Sequence, residues 1–121
     1  MTTILILEDD PGSAQLLKAA LDPLVHKLFL ARTGDEALDI VHKRNPSLVI
    51  ADLRLPGRHT GWDVIAEIRG NRRIQQMPII VTSVEVDPTD RQRAFDAGCD
   101  LFFPKPFNIH ELRETVRGYL I

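Results

Sequence analysis

Five short runs rich in β-branched and other apolar residues alternate along the chain with segments of helical periodicity. These runs predict strands at residues 4–7, 27–31, 48–51, 79–82 and 101–103. A segment with one apolar face at helical spacing follows each run, which predicts five β-α pairs. Strands that alternate with helices are joined by crossovers and run parallel. The pattern therefore predicts an α/β fold with a single five-stranded parallel sheet and helices on both faces.

Capping residues support this division into elements. Asp87 followed by Pro88 predicts the start of a helix, as a cap and a first-turn proline. Gly98 predicts the end of that helix, and Asn108 predicts the cap of the last one. The five predicted pairs then fill the chain without a linker or a repeat.

Length and composition exclude several classes of protein. A chain of 121 residues matches one domain, and its formal net charge of -2 provides no basic surface for nucleic-acid phosphates. The single cysteine, Cys99, cannot form an intramolecular disulfide, and its position before a predicted strand favours a core role. Wholly apolar stretches do not exceed four residues, and no signal peptide is apparent. We therefore expect a cytoplasmic protein without a membrane span.

Polar residues whose side chains can bind ligands or react follow four of the predicted strands. Ligands of open parallel sheets bind beyond the carboxyl ends of the strands, so these residues are expected to share one edge. They are Glu8, Asp9 and Asp10 after the first strand, Asp52 after the third, Thr82 and Ser83 at the fourth, and Lys105 after the fifth. The acidic run taken alone also fits a solvated helix start.

Carboxylates that converge on this edge need a positive partner. Each pair repels by roughly 1 to 4 kcal/mol at about 4 to 5 Å, according to the effective dielectric constant. Mg²⁺ binds one or two carboxylates and leaves room for a phosphate oxygen, and Lys105 provides a mobile charge suited to phosphate. Such a site is suited to phosphoryl transfer, with Asp52 as the nucleophile that forms an acyl phosphate.

Four short motifs follow one another along the chain. They are Glu8-Asp9-Asp10-Pro11, Asp52-Leu-Arg-Leu-Pro56, Val81-Thr82-Ser83 and Lys105-Pro106-Phe107. In this order they resemble the response-regulator receiver family of two-component signalling, and the likeness spans the whole chain. The resemblance implies a (βα)5 flavodoxin-like fold with five central strands.

The resemblance also implies a metal site. Asp52 is then the phosphoacceptor and a ligand of Mg²⁺, for which Mn²⁺ can substitute. Asp9 is a direct metal ligand, Glu8 reaches the metal through water, and the backbone carbonyl of Arg54 is a further ligand. The side chain of Arg54 points away from the metal and is placed to shield or expose the acyl phosphate.

Further roles follow from the same likeness. Thr82 is expected to hydrogen-bond the phosphoryl group, and Lys105 is expected to pair with it. The Lys105-Pro106 bond is expected to be cis. Phe102 matches the aromatic residue that changes rotamer as the threonine moves, although a core role for this residue is an equal alternative.

Two departures from the family pattern stand out. The loop at residues 56–61 is one residue longer than the commonest spacing, and Thr60 stands where an acidic or amide residue often precedes the glycine. Phe102 stands where many members have tyrosine, so it offers no hydroxyl at the surface. His59 lies in the longer loop, where a solvated histidine is the simpler interpretation.

The resemblance implies a receiver domain over residues 1–121, without an effector domain in this chain and without a substrate of its own. Its expected partners are a histidine kinase or histidine phosphotransfer protein, and a downstream protein on the face of the fourth helix, fifth strand and fifth helix. Nucleic acid and membrane are not expected partners, and a monomer and a phosphorylation-dependent dimer are both compatible. The alternatives are a pseudo-receiver that acts by contact alone and a small Asp-nucleophile phosphohydrolase. A stand-alone receiver and an excised piece of a larger regulator are both compatible with the sequence.

Overall fold

The computed structural model describes residues 2–84 and 87–120. Strands and helices alternate within these ranges, and a short 3-10 turn, Asp22–Leu24, follows the first helix. The elements are β1 Thr3–Leu7, α1 Pro11–Leu21, β2 Lys27–Ala31, α2 Gly34–Arg44, β3 Leu48–Ala51, α3 Gly61–Gly70, β4 Ile79–Val84, α4 Asp90–Ala97, β5 Leu101–Lys105 and α5 Ile109–Tyr119. The predicted α/β alternation is confirmed.

The strands form one parallel sheet in the order β2-β1-β3-β4-β5. This is the flavodoxin-like order, in which the direction of strand addition reverses between β1 and β3. A ligand site is expected beyond the carboxyl ends of these strands, where Glu8 and Asp52 follow β1 and β3. The predicted five-stranded sheet with a flavodoxin-like topology is therefore confirmed.

Each face of the sheet buries its own apolar cluster. Leu5 and Leu7 of β1 pack on one face, while Ile4 and Ile6 of the same strand pack on the other. Successive side chains of a strand point to opposite faces, so a strand covered on both sides is apolar throughout. This arrangement explains the uninterrupted apolar runs and holds the central strand ends rigidly.

Three strands and one helix differ from the predictions at their ends. Strand β1 begins at Thr3, one residue before the predicted start at residue 4. Strand β4 continues to Val84 and β5 continues to Lys105, beyond the predicted ends at residues 82 and 103. Helix α4 begins at Asp90 with Thr89 as its N-cap residue, so the predicted start at Asp87 and Pro88 is wrong. The physical reason is local, because Asp87 Oδ1 accepts hydrogen bonds from the backbone N–H and hydroxyl of Thr89. These bonds close a turn before the helix.

The other predicted caps are confirmed. Asn108 accepts hydrogen bonds from the backbone N–H groups of His110 and Glu111 at the start of α5. Gly98 ends α4 with a φ of 118°, which favours glycine. No helix in the described part of the chain combines the length and apolar character needed to cross a membrane.

Candidate functional site

Glu8, Asp52 and Lys105 meet at the carboxyl edge of the sheet, although they are distant in sequence. Lys105 Nζ donates hydrogen bonds to Glu8 Oε1 at 2.5 Å and to Asp52 Oδ2 at 2.9 Å. The side chains of Glu8 and Asp52 are 1% and 10% exposed, so these ion pairs are shielded from solvent. Because β1, β3 and β5 are parallel, their carboxyl ends place all three residues on one edge, as the sequence predicts.

Asp9 joins this group and completes a cluster of three carboxylates. One oxygen from each of Glu8, Asp9 and Asp52 lies within 4.8 Å of the other two, and Asp9 is partly exposed. Carboxylate oxygens are the ligands preferred by hard divalent cations. The donor set therefore fits a hard divalent metal ion.

Burial and charge shift the pKa values of two members of the site. Burial raises the pKa of Glu8, and hydrogen bonds from Lys105 and the backbone N–H of Asp10 only partly offset this effect. Burial lowers the pKa of Lys105, but hydrogen bonds to Glu8 and Asp52 together with their charges outweigh it and raise the pKa. Lys105 is thus held in its charged form, ready to pair with an anion.

Asp52 receives two further hydrogen bonds, both at Oδ1. The Ser83 hydroxyl donates one at 3.0 Å, and the backbone N–H of Arg54 donates the other at 3.0 Å. These contacts fix the orientation of the carboxylate, while Lys105 contacts its other oxygen. The acceptor candidate therefore has a defined position and three donors around it.

The hydroxyl that contacts Asp52 in this structure belongs to Ser83, and the role expected for Thr82 toward a phosphoryl group stays a prediction. Both residues are buried in β4, where neighbouring side chains alternate between the two faces. In this state Ser83 provides the hydroxyl that contacts the carboxylate. The sequence carried the signal, since both hydroxyls stand at this strand end, but it did not distinguish their directions.

The side chain of Arg54 reaches α4 instead of the carboxylate cluster. Its Nη2 lies 2.9 Å from Asp90 Oδ2, and the Asp90 side chain is 3% exposed. This position agrees with a side chain that points away from the metal. The contact between Arg54 and Asp90 is not predictable from local sequence patterns, because the two residues are 36 positions apart and are brought together by the paths of two loops. The metal-ligand role of the Arg54 carbonyl stays a prediction.

Phe102 lies inward, with 5% of its surface exposed, and packs in the cluster that contains Val81 and Cys99. The guanidinium of Arg91 lies 5.3 Å from the centroid of its ring. The core interpretation of Phe102 and of Cys99 therefore describes this state of the protein. A change of Phe102 rotamer stays a prediction, and the predicted cis Lys105-Pro106 bond is confirmed.

The longer loop is packed tightly at Gly61 and at His59. A Cβ atom at Gly61 would overlap the carbonyl oxygen of Asp52, and a Cβ atom at Gly34 would overlap the backbone of His59. His59 also contacts the carboxylate of Asp35 through Nδ1, so its ring is directed to α2. The loop thus closes against α2 and against the acceptor strand.

Comparison with known families gives a match over nearly the whole chain. The profile of the family described as response regulator receiver domain matches residues 4–117. Response regulator Rre1 of Synechocystis sp. is 32% identical over 119 residues, which cover 98% of this chain and 51% of Rre1. The KDP operon transcriptional regulatory protein KdpE of Escherichia coli is 37% identical over 117 residues, covering 97% of this chain and 50% of KdpE. The chain spans about half the length of these two curated relatives.

Solved structures show the same fold. The crystal structure of a response regulator from Chloroflexus aurantiacus has a TM-score of 0.90 at 29% identity, covering 98% of this chain and 97% of that chain. The Mn²⁺-bound form of response regulator Rcp1 has a TM-score of 0.81 at 25% identity, covering 98% of this chain and 91% of that chain. Both structures therefore match this chain along most of its length.

Proposed function

The chain belongs to the response regulator receiver domain family, and on that premise we propose that Asp52 accepts a phosphoryl group from a histidine kinase or histidine phosphotransfer protein. The protein then acts as a switch in two-component or phosphorelay signalling and turns over no substrate of its own. The observation that carries the proposal is the set of donors on Asp52, namely Lys105, Ser83 and the backbone N–H of Arg54.

The chemistry follows from these contacts. A carboxylate oxygen of Asp52 forms a bond to phosphorus while the phosphorus–nitrogen bond of the donor phosphohistidine breaks, and the released imidazole takes up a proton. Charge on the phosphoryl oxygens needs donors that are already in place. Lys105 pairs with this charge, and the Thr82 hydroxyl donates to a phosphoryl oxygen. The Ser83 hydroxyl, which already contacts Asp52, is a second donor beside it.

The three carboxylates support a requirement for a divalent cation. We propose that Asp9 and Asp52 bind Mg²⁺ directly, that Glu8 binds it through water, and that the Arg54 carbonyl is a further ligand. The bound ion offsets the repulsion between the carboxylates and the incoming phosphoryl group. The Mn²⁺-bound form of Rcp1 supports a divalent ion of this size, with Mn²⁺ as a substitute for Mg²⁺.

The output surface of the proposal is the face formed by α4, β5 and α5. An open groove on this face is lined by side chains of all three elements, among them Arg91, Phe103 and Glu111. In the phosphorylated state Thr82 moves toward the phosphoryl group and Phe102 repacks, which changes this groove. A downstream protein, or a second phosphorylated copy, reads the change.

We also propose that residues 1–121 are one receiver domain. The protein then acts in the cytoplasm, without direct contact with nucleic acid or membrane. The net charge of -2 supports this choice of partners.

Intact mass spectrometry after incubation with acetyl phosphate and Mg²⁺ tests the proposal. We expect the wild type to gain one phosphoryl group, and we expect no gain for Asp52→Asn or for wild type with chelator. An adduct that persists in folded Asp52→Asn would contradict the acceptor assignment. A folded wild type that gains no mass and binds no beryllofluoride would instead identify a pseudo-receiver that acts by contact.

A further inference from the structure

An ion pair between Arg54 and Asp90 connects the acceptor loop to the first residue of α4. The Arg54 side chain is 52% exposed, whereas the Asp90 side chain is 3% exposed. Asp90 Oδ2 also accepts a hydrogen bond from the backbone N–H of Asp87 at 3.1 Å. Asp90 is therefore fixed in the protein, while Arg54 is the partner with room to move.

Arg54 is equally close to the phosphoacceptor through its backbone. Its N–H donates to Asp52 Oδ1 at 3.0 Å, so its side chain begins beside the carboxylate. Rotation about the side-chain torsions can then bring the guanidinium to Asp90 or to a group on Asp52. A phosphoryl group is the stronger of the two acceptors, because it carries about two negative charges and offers three oxygens for bidentate pairing.

We infer that Asp90 is a positioning residue that holds the Arg54 guanidinium on α4 until a phosphoryl group on Asp52 takes it over. This inference rests on the proposed function of Asp52. The two contacts of Arg54 exclude each other, so phosphorylation removes a partner from the start of α4. Asp90 thereby competes with the phosphoryl group and sets how strongly Arg54 holds it.

A second arginine, Arg93, and the single tryptophan, Trp62, provide a way to observe this exchange. Arg93 Nη1 lies 3.7 Å from Asp90 Oδ1, and its guanidinium carbon lies 5.0 Å from the centroid of the Trp62 ring. When Arg54 leaves, Arg93 stays among the partners of Asp90, and a closer approach of Arg93 compensates the charge of the buried carboxylate. Arg93 then moves from the face of Trp62, and the fluorescence of Trp62 changes.

Titration with beryllofluoride in saturating Mg²⁺ tests the inference, with affinity measured by calorimetry and by Trp62 fluorescence. Asp90→Asn removes the competitor, so we expect it to tighten beryllofluoride binding about fivefold. Arg54→Gln removes the cation, so we expect it to weaken binding by about the same factor. The double variant is expected to match Arg54→Gln, because Asp90 acts only through Arg54.

Asp87→Asn is the matched control. It removes a carboxylate from the same turn without removing the ion pair, so its affinity is expected to stay at the wild-type value. The inference would be overturned if Asp90→Asn bound beryllofluoride with the same affinity as Asp87→Asn. It would also be overturned if the double variant retained the tighter binding. If Asp90→Asn does not fold, wild-type affinity in Arg54→Gln overturns it.

The two proposals fail in distinguishable ways. Folded wild type that neither binds beryllofluoride nor gains a phosphoryl group overturns the proposed function and this inference together. If the wild type binds beryllofluoride and substitution of Arg54 or Asp90 leaves the affinity unchanged, only the inference is overturned.

Discussion

Ser83 Oγ lies 3.0 Å from Asp52 Oδ1 and donates a hydrogen bond to it across the ends of β3 and β4. The same hydroxyl is placed to donate to a phosphoryl oxygen on Asp52, where negative charge increases during transfer. Loss of one such donor slows acyl-group chemistry by about 100-fold or more in enzymes with a defined oxyanion site.

We therefore expect Ser83→Ala to slow phosphorylation by acetyl phosphate by at least about tenfold. Thr82→Val removes the adjacent hydroxyl in the same strand while keeping the side-chain shape, so it measures the role of Thr82 separately. The rate is followed by intact mass in a rapid-quench time course. A rate for Ser83→Ala equal to that of the wild type would show that the Ser83 contact has no role in transfer.

We expect the difference in free energy of unfolding between the wild type and Lys105→Met to depend on pH in the alkaline range. The pKa of Lys105 is raised above its ordinary value of 10.5 by Glu8 and Asp52, despite the opposing effect of burial. A raised lysine pKa contributes stability that is fully present below 10.5 and is lost as pH rises through the folded-state pKa. Urea unfolding across this range should show an advantage of the wild type at neutral pH that shrinks above pH 10.5. An advantage that stays constant would contradict the ion pairs.

The carboxylate cluster predicts that Mg²⁺ stabilises the folded protein. A ligand at 100 times its dissociation constant adds about 2.7 kcal/mol to the free energy of unfolding. Thermal melting should shift upward with Mg²⁺ in the wild type and much less in Asp9→Asn. Asp10→Asn serves as control, because Asp10 caps α1 through the N–H of Ser13 and lies outside the cluster. Equal shifts in the wild type and Asp9→Asn would exclude Asp9 as a ligand.

The backbone beside Asp52 leaves no room for a side chain at position 61, where the chain has glycine. A Cβ atom there would overlap the Asp52 carbonyl oxygen and lie 2.7 Å from the Leu53 Cα atom, so the backbone that follows β3 would have to move. We expect Gly61→Ala to lower the free energy of unfolding by about 1 to 3 kcal/mol, as overpacking does. Gly70→Ala, at the other end of α3, meets no atom within 4 Å and is the control. Matching urea midpoints for both variants would contradict the close approach.

Cys99 predicts an inert thiol in the native protein. Burial raises its pKa to about 11, with a further contribution from the charge of Asp100. The thiolate is the reactive form, so modification by an aromatic disulfide reagent at pH 8 should be slow in native protein. The same reaction should be fast in urea. Native protein that reacts as fast as unfolded protein would contradict the buried position.

The sheet was predictable because apolar strands covered on both faces have an unmistakable composition. Strands β2 and β3 match the predicted ranges 27–31 and 48–51. The end of β5 was missed because Pro104 and Lys105 resemble a loop. Both lie in an edge strand, where proline is tolerated since one side of the backbone has no neighbouring strand.

Most of the site was predictable for a related reason. Glu8, Asp52 and Lys105 each stand at a carboxyl end of a parallel strand, and topology alone brings those ends together. The choice between Thr82 and Ser83 depends on which face each side chain occupies, which the position of the strand end does not reveal. The contact between Arg54 and Asp90 depends on the path of two loops, for which local sequence patterns hold no information.

The ion pair between Lys105 and Glu8 joins positions 97 residues apart. During synthesis, β1 therefore emerges long before the strand that delivers its cationic partner. Contacts of such sequence separation form late, because closing a long loop carries an entropic cost that later contacts must offset. A nascent chain that lacks β5 contains Glu8 and Asp52 without the Lys105 ammonium that pairs with them. The acidic edge of the sheet therefore gains this cation only once the last strand is in place.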